Sequence, residues 1–168
     1  MTLGLGGSSI HLLPRLHAPL RWCPMTTPDI RDVLCVEMLE EIPVARFAPA
    51  PLLFEHAVTL IADIVRQLVV QGRPQLLVDG SQVTFAPPSL VDRLRMVREW
   101  ADAAEGRVRI AMVTRPEYID PERFGIVAAG NFGLAAQVFD CEEDAVAWLR
   151  EERAAEVQRN ASGPISPT

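Results

Sequence analysis

The chain has 168 residues, 49% of them hydrophobic and 23% charged, the make-up of a single globular domain with enough apolar side chains for a core of its own. Its formal charge of −6 argues against a partner gripped through phosphates, nucleic acid above all. All 16 basic residues are Arg, which excludes chemistry that needs a lysine, such as a Schiff base or a phosphate-loop lysine; three His and three Cys offer little for a multi-ligand zinc site.

Residues 1–24 differ from the rest. They carry Arg15 and Arg21 and no acid, so the segment is +2 and residues 25–168 hold −8. No uninterrupted apolar stretch follows a basic start, as a secretory signal requires, and Pro14, Pro19 and Pro24 would break the amphipathic helix of a transit peptide. The expectation is an unstructured leader over 1–24 with Met25 as an alternative start, a domain over 25–158 and a flexible tail over 159–168. The longest run free of formal charge, 124–139, falls short of the roughly 20 apolar residues of a spanning helix, so no membrane span is expected. Widely spaced cysteines without a secretory segment point to reduced thiols in a cytoplasmic protein.

In chain order, VLCVEML (33–39) and VARFA (44–48) read as a hairpin or strand pair with a short connection. Helical period follows over 52–71, with Phe54, Val58, Ile61, Val65 and Leu68 on one face and Gly72 and Pro74 as the stop. QLLVD (75–79) is a short buried-type strand. A second helix runs from Pro87-Pro88 to about Glu105, with Leu90, Leu94, Val97 and Ala101 inward, Trp100 beside them, Arg95–Glu99 and Arg98–Asp102 on the outer face, and Gly106 as C-cap. RVRIAMV (107–113) is the next strand. Asp120 as N-cap and Pro121 at the first helical position open a third helix with Phe124, Val127 and Ala128 inward, closed by Gly130 and Gly133. AAQVF (135–139) is the last strand, and Asp140 with Glu143 starts a final helix to about Gln158, burying Ala145, Trp148 and Leu149. The order ββαβαβαβα predicts one α/β domain: a four- to five-stranded, mostly parallel sheet packed with helices, its first strand antiparallel.

LLVDGSQVTFAPPSLVDRL (76–94) resembles the STAS-domain segment in which a buried strand ends in Asp, a short loop leads to Val-Thr-Phe and a helix follows. VFDCEEDAVAWLREE (138–152) resembles the acidic turn and Ala-x-x-Trp-Leu close of small bacterial SpoIIAA-like proteins in the STAS/Sec14-like group, and the element order fits from 31 to 155. The resemblance implies a non-enzymatic regulatory or interaction domain of STAS-like fold without a cofactor, binding a protein partner or small ligand at the carboxyl ends of the strands, and a homodimer is compatible with it. An apolar-ligand or lipid binder of the Sec14-like kind is the alternative, with a pocket lined by Phe54, Ile61, Phe124 and Phe132. In anti-sigma-factor antagonists the Val-x-Phe segment runs into an Asp-Ser pair whose Ser is the kinase target. Pro87-Pro88 stands in its place here, and the nearest hydroxyl is Ser89.

Ligands of parallel α/β sheets sit outside the carboxyl ends of the strands, which here carry Asp79 and Ser81, then Thr114, Arg115, Glu117 and Tyr118. With Ser89, the residues Asp79, Ser81, Arg115 and Tyr118 form the candidate ligand or partner site. Each also has a plain structural reading: Asp79-Gly80 as turn chemistry, Arg115 as a bridge to Glu117 or Asp120, Ser89 as N-cap with Asp92 three residues on. Cys141 starts a helix but stands among Asp140, Glu142, Glu143 and Asp144, which disfavours a thiolate, and His56 has no second His at helical spacing. No catalytic or metal-binding set is expected.

Overall fold

The computed structural model describes residues 33–161, with 152–161 described by backbone alone. The expected leader over 1–24 and the end of the expected tail, 162–168, lie outside the described residues. Strands β1 (Leu34–Leu39) and β2 (Ile42–Phe47) are joined by the two-residue turn Glu40–Glu41, with Glu40 in the left-handed region at φ 56°. β2 therefore begins earlier than 44–48. Pro43 is tolerated within it because the parallel ladder to β3 starts only at Val44, so its missing N–H breaks no rung there. Then follow α1 (Phe54–Gln71), β3 (Gln75–Asp79), α2 (Leu90–Ala104), β4 (Arg109–Val113), a single 3-10 turn (Pro116–Tyr118), α3 (Phe124–Asn131), β5 (Ala136–Phe139) and α4 (Glu142–Ala161). The chain forms an α/β domain around a five-stranded sheet in the order β1-β2-β3-β4-β5, parallel except for the β1–β2 pair.

That order never reverses. Each crossover steps one strand in the same direction, and crossovers of one hand then put all their helices on one face. Accordingly, α1, α2 and α3 share a core with Ala45, Phe47, Leu76, Val78 and Ile110. The residues between those positions, Ile42, Val44, Leu77, Ala111 and Val113, point to the other face and pack on Ala145, Val146 and Leu149 of α4. The three central strands β2, β3 and β4, apolar and buried on both sides, are thus explained by helices above and one helix below.

Helix α1 buries Val58, Ile61, Val65 and Leu68 as its period predicts, together with Ala57 and Ala62, and ends at Gly72 with φ 67°. Phe54 is half-buried against the core. Helix α2 departs from expectation. Its covered part is the C-terminal half, with Val97, Trp100, Ala101, Ala103 and Ala104, while Leu90 at 58% and Leu94 at 39% remain exposed. Periodicity gives the direction of a face, not how far along the helix a neighbour reaches. The outer side pairs Arg95 with Asp92 rather than with Glu99, and Glu105 (φ 49°) occupies the C-cap one residue before Gly106.

Helix α3 starts three residues later than Asp120 suggests. Asp120 instead holds a turn, its carboxylate accepting from the Glu122 and Phe124 backbone N–H groups at 3.0 and 3.1 Å, and Arg123 is the N-cap. Its buried side is Ala128 and Ala129, whereas Phe124 is partly exposed and Val127 is 60% exposed. Small residues on both α2 and α3 let the two helices approach closely, which turns the larger side chains outward.

At the start of α4 the cap is Cys141, whose sulfur accepts from the Asp144 backbone N–H, not Asp140. The helix continues to Ala161, past the expected end at Gln158. Ala145 and Leu149 are buried as expected, and Trp148 is half-buried, its ring 6.1 Å from that of Phe139.

Candidate functional site

Sheet register decides which of the expected site residues meet. Arg46, Asp79 and Val113 are paired across β2, β3 and β4, and paired residues of a parallel ladder share a face. Asp79 therefore stands on the α4 side. There Arg46 Nη1 lies 2.8 Å from Asp79 Oδ2 and 2.5 Å from Glu142 Oε2, and Arg46 Nε lies 2.6 Å from Glu37 Oε1. Glu142 and Glu37, then Asp79, hold the Arg46 guanidinium charged above its ordinary value, against a desolvation that works the other way. Burial by itself would push the Asp79 carboxyl up. The Ser81 backbone N–H, 3.0 Å away, the Ser81 hydroxyl and Arg46 outweigh burial and hold it below the ordinary range. Asp79 and Ser81 are thus joined, but to an ion cluster that ties β1, β2, β3 and α4 together.

Arg115 and Tyr118 meet on the other side of the sheet. The Arg115 guanidinium stacks 4.8 Å from the centre of the Tyr118 ring and donates to the Tyr118 hydroxyl at 2.6 Å and to the Val83 carbonyl at 3.2 Å. Its Nε lies 3.2 Å from Glu117 Oε1, an ion pair without hydrogen-bond alignment. The Tyr118 hydroxyl donates in turn to the Phe85 carbonyl. Arg93 of α2 adds a second tie, donating to the Pro88 carbonyl at 3.2 Å and the Tyr118 carbonyl at 2.9 Å. Two arginines converging on one buried tyrosine thereby latch the β3–α2 loop (80–88) to the segment after β4. Ser89 closes that loop as the N-cap of α2: the Asp92 backbone N–H donates to its hydroxyl at 3.2 Å, and the hydroxyl donates to the Asp92 carboxylate at 2.6 Å.

Under the latched loop, between α1–α3 and the sheet, lies a cavity of about 90 Å³. Val78, Ile110 and Met112 form its floor, Phe54, Val58 and Trp100 its helical wall, and Val83, Phe85 and Tyr118 its loop side. Phe85 packs edge-on against Phe54 and Tyr118, and the Trp100 indole N–H donates to the Val58 carbonyl at 3.0 Å. Of the four residues expected to line an apolar pocket, Phe54 does so; Ile61 is sealed in the core away from it, and Phe124 and Phe132 are on the outside.

The lining is mostly apolar, with Arg93, Tyr118 and Thr114 as polar side chains on this face of the sheet. Thr114 follows Ile110 and Met112 at the two-residue spacing of β4, it is 2% exposed, and its hydroxyl has no hydrogen-bond partner. Nothing in its sequence neighbourhood marks it beyond its place after a strand. The Gln137 carboxamide oxygen is also unpartnered, but Gln137 is paired with Ala111 and so faces α4.

Elsewhere, the His56 side chain is exposed on α1. Asp140, Cys141 and Asp144 bring three ligand atoms within 4.8 Å of one another. The Asp144 N–H favours the Cys141 thiolate, yet desolvation and the Asp144 and Asp140 carboxylates prevail and push the thiol up. That is the opposite of what a nucleophile or a thiolate ligand requires. Among the described residues no helix is long and apolar enough to cross a membrane. No family model matches the chain, and no curated protein matches its sequence.

Proposed function

We propose that this chain is a non-enzymatic binding domain of the STAS-like, SpoIIAA-like kind, with a regulatory role, and that it takes a small, largely apolar ligand into the cavity beneath the 80–88 loop. The observation that carries the reading is the cavity itself: an aromatic and aliphatic chamber at the carboxyl ends of β3 and β4, closed by a loop that the packing of Val83 and Phe85 and the hydrogen bonds of Arg93, Arg115 and Tyr118 hold in place. Its size favours a compact ligand over a lipid. Pockets for drug-sized molecules span roughly 300–1,000 Å³. A chamber of about 90 Å³ suits a compact molecule, and a lipid would require α1 and α3 to separate.

A partner protein is a second reading of the same domain. Leu90, Val91 and Leu94 of α2 and Phe124 and Val127 of α3 remain exposed on two helices that pack together, and exposed large apolar side chains are what docking surfaces are made of. A regulatory domain of this design would read its ligand beside the surface it offers to the partner.

Methyl-labelled methionine makes the ligand reading testable. Toluene titrated into the protein should perturb the Met112 and Met96 methyls, both at the cavity, in a saturable manner and leave Met38, exposed on β1, unchanged. No saturable change, or an equal change at Met38, would mean that the chamber admits nothing and the proposal fails.

A further inference from the structure

The geometry points to a ligand that carries one hydrogen-bonding group on a compact apolar body, with the Thr114 hydroxyl as its anchor. This inference rests on the ligand-binding reading above and names the class of ligand. A water needs roughly 10–15 Å³ of such space, so about 90 Å³ holds on the order of six to nine water-sized groups, the size of a single substituted ring or a short branched chain. A purely apolar molecule of that size would leave the Thr114 hydroxyl as it stands, buried at 2% exposure with no partner. Leaving such a group unsatisfied is costly, and native proteins satisfy the large majority of them. The hydroxyl can both donate and accept, so it suits a phenolic or alcoholic O–H or a carbonyl oxygen. A charged group fits poorly: among the described residues the one charged side chain lining the chamber is Arg93, and it already donates to backbone carbonyls of the latch.

Phenol and toluene are near-isosteres of seven non-hydrogen atoms that differ by a hydroxyl for a methyl, and they form the test. Both are titrated against the wild type, Thr114→Val and Thr114→Ser, following the Met112 methyl. In the wild type and in Thr114→Ser the ratio of phenol to toluene affinity should be the same. In Thr114→Val it should fall about five- to tenfold, the worth of one buried hydrogen bond, with toluene binding undiminished. Thr114→Val should also melt no lower than the wild type, because it removes a group without a partner. An unchanged ratio with both compounds still bound overturns the anchor and leaves the ligand-binding reading intact; it is also the result expected if the hydroxyl serves an ordered water only. Failure of both compounds to bind the wild type overturns the two together. A marked loss of stability in Thr114→Val shows that the hydroxyl has a partner within the fold, and overturns the anchor as well.

Discussion

The two faces of the sheet are built from alternate residues of the same short strands, yet they end in different states. On the α4 face, Ile42, Val44, Leu77, Ala111 and Val113 close against Ala145, Val146 and Leu149, and the carboxyl ends of β2 and β3 are sealed by Arg46 with its three carboxylates. On the α1–α3 face, larger side chains converge from three helices and a loop, and they leave a chamber. One helix laid along a sheet can settle until it touches everywhere. Three helices and a loop, each constrained by its own connections, meet at a junction that no single side chain fills. The candidate residues divide in the same way: Asp79 belongs to the closed face, and Arg115, Tyr118 and Ser89 belong to the loop over the open one.

The sharpest way to break this comparison is to remove the large aromatic of each face. Trp100 is 5% exposed and hydrogen-bonded in the wall of the chamber, so Trp100→Ala should cost about 3–5 kcal/mol in chemical denaturation. Half-buried Trp148, on α4, should cost about 2 kcal/mol on the same scale. Equal losses would mean that α4 depends on its aromatic contact with Phe139 as heavily as the three-helix face depends on Trp100.

Tyr118→Phe tests the latch. The hydroxyl accepts from Arg115 and donates to the Phe85 carbonyl, so its loss should cost about 1–2 kcal/mol and speed amide exchange along residues 83–85 more than along β2. Ser89→Ala should cost about 1 kcal/mol, the worth of an N-cap, and Ser89→Asp should retain both fold and cap. A melting curve of Ser89→Ala that overlays the wild type would remove the cap from the account of the loop.

The remaining prediction probes the closed face by pH. Asp79 has its folded pKa below its unfolded value of roughly 4, so its contribution is complete above that pH and is lost as pH falls through the folded value. Arg46→Met should therefore make the Asp79 carboxyl titrate at higher pH, because burial would then face the Ser81 hydrogen bonds alone, and acid unfolding should begin earlier. Carbon-detected NMR titration of that carboxyl checks it. An unchanged titration would show that the Ser81 turn by itself sets the pKa.

Much of the fold was legible in the sequence. Apolar runs bounded by Gly and Pro located all five strands, 3.6-residue period located the helices, and Ser89 three residues before Asp92 announced a cap. These are local properties, written by backbone geometry into neighbouring residues. The failures share one cause. Leu90, Leu94 and Val127 lie outside because burial depends on how far the facing element extends, and no window along the chain contains that length. Asp120 has the sequence position of a cap and holds a turn instead, since its carboxylate reaches two N–H groups that only the folded loop aligns.

For the candidate site, residue type and position at strand ends single out Asp79, Ser81, Arg115 and Tyr118 as candidates, and Ser89 enters as the hydroxyl next to Pro87-Pro88. Their partners were not readable, because Arg46 with Asp79 and Tyr118 with Phe85 are each 33 residues apart. Strand register set by tertiary pairing is what puts Asp79 on one face and the Arg115–Tyr118 latch on the other. The chain by itself determined where its strands and helices run, because hydrogen-bond geometry and side-chain period are local. Only the tertiary structure decided that Thr114 is buried without a partner beside an apolar chamber, because a cavity is a failure of distant surfaces to meet and exists in no segment alone.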